Sequence, residues 1–206
     1  MTTAEDPVSR RAWLKRAADG IDRARAREYA LLATLLSRDP KSSLICRLAL
    51  LRGDATPLGT AHATLGEAAG RSNEASARRE YFDLFLGLGQ GLLLPYASYY
   101  LTGSLYGRPL ARLRETFQLL HIERTMDSEP EDHIAVLCEI MAGLISGDIG
   151  CPIGSDREFF ETHLATWASR FFVDLERAES ADFYRRVGSV GRIFMEIEAE
   201  ARLFTA

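Results

Sequence analysis

Cysteine and valine are scarce in this chain, and no long apolar run occurs in it. The three cysteines, Cys46, Cys138 and Cys151, are odd in number, form no Cys-x-x-Cys pair and lie near apolar residues. A disulfide framework or a zinc module is therefore not expected, and a reducing cytoplasm fits. The only valines stand at 8, 136, 173, 187 and 190, and no sustained polar–apolar alternation occurs, so little sheet is expected. No segment is apolar for long enough to span a bilayer, which argues against stable membrane insertion. A basic footprint is missing too. The net charge is −4 and the pI about 5.6, which argues against nucleic-acid binding and tolerates a cationic partner. What is present is an ordinary globular mix: 206 residues, 47% hydrophobic and 26% charged, enough for one domain with a real core.

The periodicity is helical nearly throughout. Apolar residues fall at Tyr29, Leu32, Leu35 and Leu36, one face of a helix over 25–36. Asp39-Pro40 predicts a cap followed by proline at the first helical position, opening a helix through Leu44, Ile45, Leu48 and Leu51. Thr56-Pro57 repeats that signal, and Ser72-Asn73 opens a further helix that ends in Tyr81-Phe82-Asp83-Leu84-Phe85-Leu86. An irregular stretch over 87–107 is rich in glycine and tyrosine. Helices then follow through Leu110, Leu113, Phe117 and Leu120, from the 128–133 segment onward, over 156–175 and over 180–204. The expected architecture is all-α: a single compact helical bundle over 1–206, with 1–23 as a basic N-terminal helix or arm.

That arm carries Ser9-Arg10-Arg11-Ala12-Trp13-Leu14-Lys15, which is similar to the Ser-Arg-Arg-x-Phe-Leu-Lys consensus of twin-arginine export signals. The residues after it, Arg16 to Arg23, carry both signs of charge where a signal needs an apolar core. Export is not expected. An amphipathic basic helix, or a mimic able to occupy a signal-peptide site, accounts for the segment.

Four stretches could carry chemistry. Ser128-Glu129-Pro130-Glu131-Asp132-His133 has a capping-box spacing from Ser128 to Glu131, a proline tolerated in a first turn, and acids where the helix dipole favours them. On a helix Asp132 and His133 point about 100° apart, a poor acid–base dyad. His62, His121 and His163 show no ligand spacing with His133, so no metal site is expected. A packed histidine, a recognition surface and catalysis remain open readings of this stretch. Second, Tyr81, Leu84, Phe85 and Leu88 follow the i, i+3, i+4, i+7 rule of a core face, while Phe82 and Leu86 lie off it. The segment is then either buried all round, the favoured reading, or partly exposed for binding. Third, Gly87-x-Gly89-x-Gly91 follows a helix rather than a strand and lacks the phosphate-loop Lys-Ser/Thr. With Leu92 to Tyr100 it reads as a shaped loop whose tyrosines could line a groove. Fourth, Leu164, Trp167, Phe171 and Leu175, with His163 one turn before Trp167, read as core.

Together and in this order, these elements resemble the TorD/DmsD family of cytoplasmic chaperones for molybdenum-cofactor redox enzymes. The residues that carry the resemblance are Tyr81, Leu84 and Phe85; Pro95-Tyr96-Ala97-Ser98-Tyr99-Tyr100-Leu101; Glu129-Pro130-Glu131-Asp132-His133 with Cys138-Glu139-Ile140-Met141-Ala142; and His163-Leu164 with Trp167 and Phe171. Tyr81 and Tyr96 stand where some members carry tryptophan. The resemblance implies an all-helical fold and a cytoplasmic, non-enzymatic chaperone. It would bind the twin-arginine leader and the apo form of a molybdoenzyme subunit, aid cofactor insertion and delay export. The implied leader-binding residues are Tyr81, Leu84, Phe85, Pro95, Tyr96, Ser98, Asp132 and His133. Glu129 joins them as a carboxylate able to take an arginine. No resident cofactor is implied beyond weak guanine-nucleotide binding, and members occur as monomers and homodimers. The rival reading is a small helical enzyme or nucleotide-binding protein that uses Asp132 and His133.

Overall fold

The computed structural model describes residues 20–88, 91–123 and 130–203. Among them the chain forms ten α-helices, one π-turn and no β-sheet: α1 (Gly20–Ser37), α2 (Ser42–Leu48), α3 (Pro57–Arg71), α4 (Glu74–Tyr81), the π-turn (Phe82–Leu86), α5 (Ala97–Thr102), α6 (Arg108–Leu119), α7 (Ile134–Ser146), α8 (Ser155–His163), α9 (Ala168–Glu176) and α10 (Phe183–Leu203). No described helix is long and apolar enough to cross a membrane.

Several helix starts follow the sequence signals directly. Thr56 caps α3 by accepting from Gly59 N, with Pro57 at the first position. Asn73 and Ser76 form a capping box at α4. Two starts are capped from elsewhere in the chain instead. The Asp39-Pro40 signal does not open α2, whose N-cap is Lys41. Asp39 pairs with Lys41 at 3.0 Å, and the first-turn donors of α2 go to Glu74, which accepts from Ser42 N at 2.9 Å and Ser42 Oγ at 2.7 Å. Glu80 does the same for α10, accepting from Asp182 N, Phe183 N and Tyr184 N at 3.0–3.3 Å. The short helix α4 therefore supplies carboxylates to the N-termini of two other helices, where the dipole favours negative charge.

The expected single helix over 156–175 is broken. The indole N–H of Trp167 donates to His163 O at 2.7 Å, taking the carbonyl that the Trp167 amide would use if the helix continued. That amide turns to Leu164 O at 3.1 Å. Burying the indole completely outweighs one regular helical bond.

The core runs through the middle of the bundle. Helix α1 lies along α7, α9 along α10, and α3 against α10. Tyr29, Phe159, Trp167, Phe171, Phe172, Phe183 and Tyr184 are fully buried. At the N-terminal end of α1, Arg25 makes a two-pronged pair with Glu198 at 2.7 and 2.9 Å and also reaches Asp22 and Asp156 at 3.0 and 3.3 Å. This ties α1, α8 and α10 at the end of the molecule opposite the π-turn. At the other end, Tyr81 Oη donates to Leu36 O at 3.4 Å, near the C-terminus of α1.

Candidate functional site

The site is built on the end of α4. After Tyr81 the helix widens into the π-turn, in which Gly87 N donates to Phe82 O at 2.7 Å. Gly87 ends it at φ 59°, ψ 178°, a conformation that essentially only glycine adopts. The chain then folds back on the turn: Leu92 N donates to Asp83 O at 3.3 Å and Leu93 N to Leu84 O at 2.8 Å. A Cβ on Gly91 would lie 2.5 Å from the carbonyl carbon of Phe85 and 2.6 Å from Leu84 O. Only a residue without a side chain lets the return strand pack so closely.

The extra residue in the turn shifts the helical register, and this divides the aromatic and leucine element. Tyr81 and Leu84 are buried, and Phe85 is half-buried against Tyr81 and Tyr184, with ring centroids 5.1 and 5.5 Å away. Phe82, Leu86, Leu88 and Leu92 face solvent, at 39%, 53%, 99% and 68% exposure. Burial all round is thus corrected for Phe82 and Leu86, and Leu88 leaves the core face on which a regular helix would place it. These outward residues were missed as site candidates. The signal was there in the all-round apolar character of 81–88, which a globular core does not need.

The return strand leads to the second part of the site. Tyr96 and His133 form an isolated antiparallel bridge: Ala97 N donates to Asp132 O at 3.0 Å and Ile134 N to Pro95 O at 2.8 Å. Helix α7 does not begin at the 128–131 signal. It starts at Ile134, with His133 itself as N-cap, its Nδ1 accepting from Ala135 N at 3.1 Å. That acceptor role places the ring proton on Nε2. The helical-wheel placement of Asp132 and His133 is therefore overturned, because both precede the helix. Pro130 opens a turn, its carbonyl accepting from His133 N at 3.2 Å, and His133 then pairs with Tyr96 in the bridge, so the helix starts only at Ile134. Glu131 pairs with Arg114 at 2.9 Å. Ser128 and Glu129 lie outside the described residues, as does the Arg10-Arg11 segment.

Asp132 is fully buried. Its Oδ2 accepts from Ser98 N at 2.7 Å, capping α5 across the bridge. Its Oδ1 is buried with no hydrogen-bond partner among the described residues. Ser98 is buried as well and holds the next loop, its Oγ accepting from Tyr106 N at 3.1 Å. Pro95 is buried, and Tyr96 is half-buried with its ring 5.1 Å from that of His133, edge to face. The structure thus gathers Pro95, Tyr96, Ser98, Asp132 and His133 at one junction, with Tyr81, Leu84 and Phe85 as the floor beneath the π-turn.

Asp132 also lines a cavity of about 500 Å³ between α5, α6 and the end of α8, together with Ala97, Leu101, Arg108, Arg112, Glu115 and His163. A smaller one of about 260 Å³ adjoins it and shares Arg112, Glu115, Thr162 and His163. His163 is buried and bonded through Nε2 to Thr116 Oγ1 at 2.8 Å. Burial, aided by the nearby Arg112 charge, pushes its imidazole down to about 4, so it is neutral at pH 7. The junction caps two helices, and Asp132 borders the cavity.

The described residues thus form an all-helical bundle with a glycine-hinged π-turn and a buried Asp–His junction. The chain matches the sequence profile of the nitrate reductase delta subunit family over residues 51–173, a span that includes every described site residue. It belongs to that family, which is the TorD/DmsD family the motifs resemble. It is 31% identical over 109 residues to a Haemophilus influenzae protein assigned as the Tat proofreading chaperone DmsD, and the match covers 52% of this chain and 52% of that one. The chain thus spans about half the length of this relative. Its fold is similar to that of an Archaeoglobus fulgidus protein assigned as a redox enzyme maturation protein, with a TM-score of 0.56 at 21% identity, over 84% of this chain and 93% of the other.

Proposed function

We propose that this protein is a cytoplasmic chaperone, not an enzyme, that binds the twin-arginine leader and the immature form of a molybdenum-cofactor oxidoreductase, holding it back from export while cofactor is inserted. Family membership and the DmsD-like relative support the class. The observation that carries the leader-binding reading is Asp132, which borders the cavity and whose buried Oδ1 has no hydrogen-bond partner among the described residues. A buried carboxyl oxygen left unbonded costs about 1–3 kcal/mol, and a guanidinium supplies the missing donors in a planar fork. Phe82, Leu86, Leu88 and Leu92, exposed on and after the π-turn, offer an apolar shelf on which the hydrophobic part of a leader can lie. In this reading Tyr81, Leu84 and Phe85 support the shelf, and the Tyr96–His133 bridge holds Asp132 in place.

The test is calorimetric titration with a synthetic twin-arginine leader peptide. Asp132→Asn keeps an oxygen to cap α5 but replaces an acceptor with a donor. It is expected to weaken binding roughly 10- to 100-fold, the value of a charge-assisted bond of about 1.5–3 kcal/mol. A Leu86→Ala/Leu92→Ala variant touches only exposed side chains and is expected to weaken binding about tenfold while leaving the melting temperature unchanged. Wild-type affinity in both folded variants rules the reading out.

A further inference from the structure

The loop between α5 and α6 holds a residue that its backbone does not suit. Three of the five positions from Gly103 to Gly107 are left-handed: Gly103 at φ 77°, Tyr106 at φ 70° and Gly107 at φ 79°. Glycine adopts this region at no steric cost, whereas a bulky side chain there is strained. Nor does the core use the tyrosine, which is 58% exposed. A strained backbone that displays an apolar ring to solvent does nothing for the fold, and strain of this kind collects at ligand contacts.

A relay that starts at the candidate site holds Tyr106 in place. Asp132 Oδ2 accepts from Ser98 N at 2.7 Å, and Ser98 Oγ accepts from Tyr106 N at 3.1 Å. The family resemblance puts Ser98 among the leader contacts, yet Ser98 is fully buried and offers a leader no surface. We propose that Ser98 is instead a positioning residue and that Tyr106, held out by it, is the contact. The tyrosine ring, with the exposed Leu101 and Leu105, takes the Phe-Leu pair of the Ser-Arg-Arg-x-Phe-Leu-Lys consensus. The inference rests on the leader-binding reading.

Two observations favour the leader as the occupant. The first is continuity. Leu101 is both part of the exposed patch and part of the wall of the cavity that Asp132 borders, and Arg108, just beyond Tyr106, lines that cavity too. The second is spacing. Asp132 caps the start of α5, and Leu101 stands three residues after Ser98, about 5 Å along the helix. In the consensus only one residue separates the arginines from Phe-Leu, so an extended leader covers about 7–10 Å over that stretch. A leader whose arginine reaches the Asp132 cavity therefore brings Phe-Leu to the patch, and the apolar run that follows is left for the shelf on the π-turn.

The experiment is calorimetric titration of the full chain with two synthetic peptides. One is Ser-Arg-Arg-x-Phe-Leu-Lys followed by an apolar run; the other has Ala-Ala in place of Phe-Leu. Tyr106→Ala is expected to weaken binding of the first about tenfold and of the second less than about twofold, because the contact it removes is already missing there. Ser98→Ala keeps the backbone cap on Asp132 and removes only the acceptor for Tyr106 N. It is expected to weaken binding of the first peptide about fivefold in the wild-type chain and not at all in the Tyr106→Ala chain. A serine with a purely structural role would cost the same in both. Melting curves test the backbone itself. At a left-handed position glycine is preferred to alanine, so Tyr106→Gly should melt above Tyr106→Ala, although glycine frees the unfolded chain more.

Wild-type affinity in folded Tyr106→Ala, or equal losses for the two peptides, overturns the proposal. So does an equal loss from Ser98→Ala in both chains, or Tyr106→Ala melting above Tyr106→Gly. If the wild type binds neither peptide, the leader-binding reading falls and this role of Tyr106 falls with it. If the wild type binds the first peptide but the substitutions act additively, only the Tyr106 assignment falls.

Discussion

Two histidines show how the environment of a single residue sets the sign of a pH effect. His163 is neutral in the folded protein and holds no proton until the pH nears 4, whereas in the unfolded chain it protonates near 6.5. The unfolded state therefore binds the proton first, and stability present above pH 6.5 is lost as the pH falls toward 4, by up to about 3 kcal/mol. His62 is opposite in sign. Its hydrogen bond to Glu28, at 3.0 Å, raises its affinity for a proton, so it stabilises the fold below the ordinary histidine range and that contribution fades as the pH rises. Urea melts between pH 4 and 7 should show a smaller acid-side loss for His163→Gln than for wild type. A slope identical to wild type would show that His163 is not held neutral.

At the scale of elements, the π-turn and its return strand are the most demanding piece of local structure. Gly91→Ala puts a methyl group against the backbone of Leu84 and Phe85, so either the strand lifts or the turn rewinds. The expected cost is about 1–3 kcal/mol of stability, with loss of leader binding, measured by denaturant melts and the same titration. Undiminished stability would mean that the return strand is not seated as described. This element also shows what can be read from sequence. The helices with local caps, at Thr56 and Asn73, were legible because cap and first turn are neighbours in the chain. The starts of α2 and α7 were not. Glu74 caps α2 from 32 residues away, and α7 begins only where the strand at Pro95 and Tyr96 claims residues 132–133. Helix α5 was also missed inside the irregular 87–107 stretch, since it takes its caps from Asp132. The site was legible as a residue list because its motifs are short and specific. Which members face outward was not, because a one-residue widening of the helix is invisible to a 3.6-residue period.

For the molecule as a whole, the consequential feature is the pair of carboxylates on α4. Glu74 and Glu80 hold the first amides of α2 and α10, and the same short helix runs directly into the π-turn. Anything that steadies the π-turn steadies α4, and with it two helix starts that no ligand touches. Occupancy of the shelf should therefore be felt remotely, as slower hydrogen–deuterium exchange at the amides of Ser42 and of residues 182–184 when the leader peptide is bound, and unchanged exchange there would show that α4 transmits nothing. Linkage works in both directions: loosening α10 at its first turn must weaken the grip on the leader by the same factor. Under the proposed function, the protein would then register the state of its cargo through the folding equilibrium of a helix that never meets it.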